Sequence, residues 1–452
     1  MDEDERLKGA ELSFSKTMAS DAYQSPRGTR DLLPEELVRV RFLEETARDL
    51  ARTFHYQEIR TPLFEETRLF SRSLGETSDV VDKEMFTVPP RVEGSLSYSF
   101  RPEGTAPAAR AYVQGGCPAS APYQKWFYLG PMFRYERPQK GRERQFTQFG
   151  VEAFGANSPS LDAEVVDFAL RFFEELGFGA ELEVRVNTMG DPEDRERWKG
   201  QLHDYFKPGL SERCSDCQSR IERNPFRLLD CKVAQCQKLN EGAPSLRSEL
   251  AEESAAHHAK FVATLEALGR TPKDDPGIVR GLDYYTRTVF EIHYPPLGAR
   301  SALCGGGRYD GLVEEVGGTP TPAVGFAIGF TATEIAMAEL GLPKPEALEP
   351  FQRDLQTQVY CVAVSEEDRL ATTQLASQLR AARVQGVDLD YRNKSVKAQL
   401  KEAAKSGARV VALIGPDERA ASCVCLRNMR TRDEKQVPES DLLTELLALL
   451  EE

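Results

Sequence analysis

The chain of 452 residues contains no apolar run near the roughly 18 residues that a membrane-crossing helix requires, which argues against a spanning segment. Its first residues, MDEDERLKG, are acidic and polar, so a secretory signal is not expected. Positive charge is in deficit: 58 Lys and Arg face 72 Asp and Glu, for a net charge of −14. That balance argues against a non-specific nucleic-acid coat, whose affinity comes mainly from cations neutralising phosphates. It leaves room for a local basic surface on an acidic whole. Histidine is also scarce, five in all and dispersed, so none is assigned to catalysis. His257 and His258, on an expected polar helix, are read as solvated. No internal repeat or low-complexity tract is present.

What remains is the composition of an ordinary soluble protein, 40% hydrophobic and 29% charged, with length for roughly three domains. Nine cysteines without a secretory context suggest reduced thiols and a cytoplasmic location. Four of them, Cys214, Cys217, Cys231 and Cys236, form C-x2-C…C-x4-C. That spacing leaves a zinc site, reduced structural thiols and a redox role all open. Cys423 and Cys425 alternate along an expected strand and read as packing residues.

Residues 1–23 show no sustained period and read as a flexible leader. A turn-rich stretch, SPRGTRDLLPE, precedes a helical pattern over 36–53. Short strands with period-two alternation follow at 56–61, 98–100, 126–132 and 146–154, a pattern that suits an antiparallel sheet better than a βαβ repeat. Residues 188–270 are polar and helix-leaning and look like an insertion between two halves of one core, which resumes at 277–330. An alanine-rich helix is expected at 331–340. Three prolines within 343–350 suggest a linker over 343–354. Beyond it, strands at 359–364, 387–391, 410–414, 422–426 and 434–437 interleave with helices at 366–384, 395–405 and 439–450. The expected division is thus a leader (1–23), a core (24–342) carrying the 188–270 insertion, a linker, and a C-terminal domain (355–452).

Several stretches carry chemistry-bearing residues. Residues 133–152 read FRYERPQKGRERQFTQFGVE. Arg134 and Glu136 share one strand face, and Gln148 and Glu152, four apart, share another. Residues 278–292 read IVRGLDYYTRTVFEI, and residues 304–313 read CGGGRYDGLV, where successive glycines allow close backbone approach to a ligand. The RPQKGRER loop is basic within an acidic chain.

Together the 133–152 and 278–292 segments resemble the catalytic core of histidyl-tRNA synthetases, class II enzymes that activate histidine with ATP and load it onto tRNA. RPEGT at 101–105, CGGGRYDGLV and SRSLGETSDVVDKEMF at 71–86 extend the resemblance to nearly everything from residue 25 onward. The resemblance implies an α+β fold: a class II antiparallel-sheet catalytic core, a helical insertion and a C-terminal α/β anticodon-binding domain, working as a homodimer. It implies that Arg134 grips the α-phosphate, that Glu136 faces the adenine amine, and that Arg280 brings a second guanidinium to the reacting groups. An arginine fork suits bidentate phosphate binding as lysine does not. Glu103, helped by Gly104, Thr105 and Gln148, would take the α-ammonium of histidine. Glu152 would accept a ring N–H, with Tyr284, Tyr285 and Tyr309 closing the pocket. Arg137 and Gln139 would read the acceptor end of tRNA(His), since such side chains suit base-edge contacts. ATP is the co-substrate, magnesium accompanies it, and zinc is a candidate at the four insertion cysteines.

One departure stands out. The family usually reads GFAIGLERL where this chain has GFAIGFTATEI at 325–335, so an ATP-binding arginine is replaced by Ala332. Arg142 or Arg144 of the basic loop could compensate. The departure keeps two alternatives in view: a silent histidine-binding regulatory paralogue, and a module that binds tRNA without charging it.

Overall fold

A computed structural model describes residues 23–451 apart from 76, 77, 79, 91, 93, 140, 223, 230, 247–249 and 279–283. The expected leader therefore lies, all but its last residue, outside the described residues, as does Arg280.

An eight-stranded sheet forms the larger part. Its order is Gln57–Glu58, Gln124–Phe133, Gln145–Phe154, Ala323–Gly329, Ala302–Arg308, Thr286–His293, Glu183–Thr188 and Lys273–Asp274. The six inner strands are antiparallel, and the two-residue edge strands pair in parallel. Strand alternation gives this sheet two distinct faces. One face presents Phe127, Phe149, Val151, Phe326, Ile328, Phe290 and Ile292 to the helices Pro34–Thr53 and Pro159–Glu175. The helix Pro159–Glu175 starts with Pro at its first turn and buries Leu161, Val165, Phe168 and Phe172 at helical spacing. Phe149 meets Phe168, Phe172, Phe326 and Phe330 with ring centroids 5.4 to 6.1 Å apart. Each such buried side chain contributes about 1.5–3 kcal/mol, so this face anchors the platform.

The opposite face is floored by small residues. Gln148 is paired with Gly130 and Gly329, Gly150 with Tyr128 and Ala327, and Glu152 with Trp126 and Gly325. Four glycines and an alanine on neighbouring strands leave a trough where side chains would otherwise stand. Tyr128, Glu152 and Arg101 lie across this floor, and the space above Gly329 is open.

The insertion leaves the sheet after Glu183–Thr188 and contains the helices Pro192–Phe206 and Glu252–Ala267, with three short α-helices and a 3-10 turn between them among the described residues. The C-terminal part is a separate five-stranded sheet, ordered Val387–Leu389, Val359–Ala363, Val410–Ile414, Cys423–Asn428 and Glu434–Pro438. The first three strands are parallel and the last two antiparallel. Cys423 is buried there as expected, and Cys425 partly so.

The structure adds detail to one sequence expectation and corrects another. The proline-rich linker contains the helix Pro345–Arg353. It docks on Pro34–Thr53 through Phe351 set edge-on to Phe42, centroids 6.1 Å apart, and through Arg41 to Asp354 at 3.2 Å. Pro345 sits at the helix start, where its missing N–H is no loss, so the proline begins a helix here instead of breaking one. The strand expected at 56–61 shrinks to Gln57–Glu58.

Candidate active site

The candidate site has a buried polar end and a charged end lined by both arginines and carboxylates. At the polar end Glu152 is fully buried, and its Oε2 accepts the Tyr309 hydroxyl in a short hydrogen bond. Among the described residues its other oxygen, Oε1, has no partner in ordinary hydrogen-bond geometry, nor has Gln148 Oε1, although both are buried. Orphaned polar atoms of this kind are costly unless something fills them. Burial pushes the Glu152 carboxyl up to about 8, against the pull of Tyr309 and the nearby Thr105. Tyr284 and Tyr285 complete the wall, with centroids 4.7 Å from each other and Tyr284 5.5 Å from Tyr309. All three tyrosines are buried.

The glycines here are steric requirements. A Cβ on Gly325 would lie 2.2 Å from Glu152 Oε2. One on Gly104 would fall 2.2 Å from the Tyr128 ring, and one on Gly150 2.3 Å from its hydroxyl. Tyr128 thus lies across the trough only because both positions lack a side chain. It escaped the sequence reading because nothing local to WFYLG reveals its partners.

Glu103 is buried at the same end, but it is not a free acceptor. Its two oxygens take the backbone N–H groups of Thr105 at 2.6 Å and Ala106 at 2.9 Å, capping the helix Thr105–Gln114. Burial raises its pKa, while those amides and Arg134 pull the other way. The carboxylate is thereby fixed in position, with remaining lone pairs directed by the helix.

At the charged end a cavity of about 230 Å³ is lined by Arg134, Glu136, Arg142, Phe146, Gly329 and Ala332, with Glu84 and Glu143. Arg134 Nε donates to Pro102 O at 2.9 Å, which fixes the base of its fork, and the guanidinium sits 5.3 Å from the Phe146 ring centre. Arg142 reaches Glu136 at 3.5 Å, whereas Arg144 stacks 3.9 Å over Tyr135 and bonds towards Arg27 and Glu136 backbone oxygens. Of the two arginines weighed as compensation for Ala332, only Arg142 faces the cavity. Gly329 joins the two ends, lining the cavity and pairing with Gln148. From Gln148 to Glu152 the strand runs about 13 Å.

Arg137 and Gln139 are exposed on the loop between the two long strands, which is pinched by the Gln139–Arg142 bridge. The four insertion cysteines come together, every Sγ within 4.8 Å of the others. Arg280 cannot be placed, lying outside the described residues.

A buried ionic network behind the site was not foreseen. Asp162 and Arg308 are both fully buried and paired, and Asp162 also accepts from Thr288 at 2.6 Å and meets His257 Nε2 at 2.8 Å. Burial pushes the Asp162 carboxyl up, but His257, Arg308 and Thr288 outweigh it and hold it below the usual range. Arg287, at φ 43°, pairs with Asp191 at 2.7 Å and Glu253 at 2.9 Å. Its pKa is raised, first by the Asp191 bond. His257, expected to be solvated, is therefore a buried tie between the insertion helix and the core. The signal was present: His257 lies on one helical stripe with Phe261 and Leu265.

An antiparallel platform that sets a buried acid–tyrosine pocket beside an arginine-lined cavity, followed by a small α/β domain, has the plan of a class II aminoacyl-tRNA synthetase. The model of the histidyl-tRNA synthetase family matches residues 28–190 and 226–332, and that of the anticodon binding domain matches 358–449. The histidine–tRNA ligase of Desulforudis audaxviator is 47% identical over 404 residues, covering 89% of this chain and 93% of that protein. That of a Geobacillus species is 43% identical over 423 residues, covering 92% and 97%. The crystal structure of apo S. aureus histidyl-tRNA synthetase matches with a TM-score of 0.77 at 34% identity, over 94% of this chain and 100% of that one. The chain belongs to the histidyl-tRNA synthetase family.

Proposed function

We infer that this chain is a histidine–tRNA ligase, joining L-histidine to AMP and then to tRNA(His). The histidine carboxylate oxygen attacks the α-phosphorus of ATP and pyrophosphate leaves. The terminal ribose hydroxyl of tRNA then attacks the acyl carbon and AMP leaves. The observation that carries this reading is a pair of buried acceptors, Glu152 Oε1 and Gln148 Oε1, unpaired among the described residues, on a strand that leads to the Arg134 cavity.

In this reading the imidazole donates a ring N–H to Glu152, with Tyr309 holding the far oxygen and Tyr284 and Tyr285 enclosing the ring. Glu103, Gly104, Thr105 and Gln148 receive the α-ammonium group. A pocket built from buried hydrogen-bonding groups rejects an analogue lacking them by about 10⁴–10⁵. Arg134 and Arg280 hold the α-phosphate between them, so that two anions can meet with little reorganisation. Glu136 takes the adenine amine. Glu84, with hard oxygen donors on the same cavity, would hold magnesium, which screens the ATP phosphates; Glu143 beside it is already paired with Arg30 at 3.1 Å.

Arg137 and Gln139 reach the tRNA acceptor end, for which their exposure suits them. In the C-terminal domain Tyr391 is exposed beside a cavity of about 190 Å³ that includes Asp390 and Asn393, a setting for a stacked base. We assign catalysis to 24–342 with its 188–270 insertion and anticodon binding to 355–452, joined by 343–354. A homodimer is supported by the small sheet of Phe64–Glu66, Thr87–Val88 and Tyr98–Phe100, which leaves Phe64, Val88 and Tyr98 exposed. Nine free cysteines agree with a cytoplasmic location, and among the described residues no helix is long and apolar enough to cross a membrane.

Ala332 favours a second reading, a histidine- or tRNA-binding relative that does not activate histidine. Histidine-dependent exchange of pyrophosphate into ATP separates the two. Exchange that requires histidine supports the ligase, and histidine binding without exchange supports the silent relative.

A further inference from the structure

The stretch between the helices Pro192–Phe206 and Glu252–Ala267 has little with which to hold itself together. Its three α-helices are only four to six residues long, too short to persist alone. Between 207 and 251 the buried hydrophobic residues among those described are Cys217, Ile221, Leu228, Cys231, Cys236 and Leu246. Three of these six are cysteines, so sulfurs make up half of the buried core of this subregion. Units this small usually need a staple.

The sulfurs have the geometry of one. Four Sγ atoms, from Cys214, Cys217, Cys231 and Cys236, lie within 4.8 Å of one another, and Cys214 and Cys231 are 3.8 Å apart. A zinc ion bound by four thiolates at about 2.3 Å has tetrahedral edges of about 3.8 Å. A disulfide would require about 2.05 Å. The Cys214 N–H also donates to Cys236 Sγ at 3.3 Å, a contact that favours a thiolate.

Arg213 supplies an independent indication. It is 4% exposed, lies 4.4 Å over Phe206, and gives its hydrogen bonds to Cys236 O, Asn240 Oδ1 and Leu239 O, all uncharged. No carboxylate pairs with it among the described residues, and its Nε is buried without a partner. A buried cation needs a countercharge. A zinc tetrathiolate carries two net negative charges and would stand beside it.

We propose that Cys214, Cys217, Cys231 and Cys236 bind one structural zinc ion that staples the insertion, with Arg213 balancing its charge. The closed ligand set leaves no open position for water, so the ion is structural and not catalytic. The consequence reaches the trough through the helix Pro192–Phe206, whose Arg195 donates to Tyr285 O at 2.7 Å.

The test is metal analysis of the full-length chain, purified under reducing conditions without chelator. About one zinc per chain surviving gel filtration is expected. Cobalt exchanged into the site should show thiolate-to-cobalt charge transfer and the visible bands of tetrahedral coordination. Cys236→Ser should lose most of the metal and melt earlier. If that variant does not fold, zinc release by a mercurial titrating the wild-type thiols is the second readout, one ion freed as the cysteines react. Protein that takes up no zinc on addition while its four thiols titrate freely would overturn the proposal, as would a disulfide among them in the reduced preparation.

Discussion

Substituting Glu152 by glutamine should raise stability while it damages histidine use, and the two effects have one cause. In the ligand-free protein the carboxyl titrates at about 8 against an ordinary 4.5, because burial outweighs the hydroxyl of Tyr309. The folded state therefore holds its proton more tightly than the unfolded chain does. Between those two values the folded state carries the extra proton, so stability is fully present below the lower value and declines as pH rises to the upper one. At about 1.4 kcal/mol per unit, the decline reaches about 5 kcal/mol at most. Relaxation of the pocket reduces it, and about 2–4 kcal/mol is the expected difference. Glutamine has no proton to lose, so Glu152→Gln should lack this slope and be the more stable protein near pH 8. Denaturant unfolding of both proteins without histidine, at about pH 5 and about pH 8, measures it. Parallel pH profiles for wild type and Glu152→Gln would refute the reasoning, as they would mean that Glu152 is solvated or already compensated. The same variant should activate histidine poorly, because a carboxyl that a bound imidazole can hold ionised is replaced by a permanently neutral amide.

The other end of the trough makes its own predictions. Arg134→Ala should lower histidine-dependent pyrophosphate exchange by about 10²–10³, and a smaller loss would move the phosphate grip elsewhere. Ala332→Arg should restore a charge-assisted contact of about 1.5–3 kcal/mol and lower the KM for ATP about tenfold or more; an unchanged KM would show that Arg142 already serves. Arg137→Ala and Gln139→Ala should each weaken tRNA charging by about 1–3 kcal/mol and leave exchange intact. Loss of exchange in either would place that residue in the activation site instead.

The site was legible in the sequence where its geometry is local. The even spacing of Gln148 and Glu152 on one strand put them on one face, and the two are found so. The convergence of that strand with Tyr284, Tyr285 and Tyr309 came from family resemblance, since no local pattern brings residues more than a hundred positions apart together. Tyr128 was missed because its placement depends on the absence of side chains at Gly104 and Gly150, on a helix and a neighbouring strand. Asp162 and Arg308 were missed because a buried ion pair needs both partners in view, and they are 146 residues apart. His257 was misread although the helical period already aligned it with Phe261 and Leu265. Proline misled in the opposite direction, since Pro345 marks the start of a helix and not a gap.

The most direct test of the central claim is a crystal structure of the protein with histidinol and ATP, which cannot react for want of a carboxylate. The account predicts an imidazole nitrogen within hydrogen-bond distance of Glu152 Oε1 and the α-phosphate on Arg134, with the trough floor of glycines beneath both. An imidazole bound away from Glu152, or an α-phosphate outside the Arg134 cavity, would contradict it.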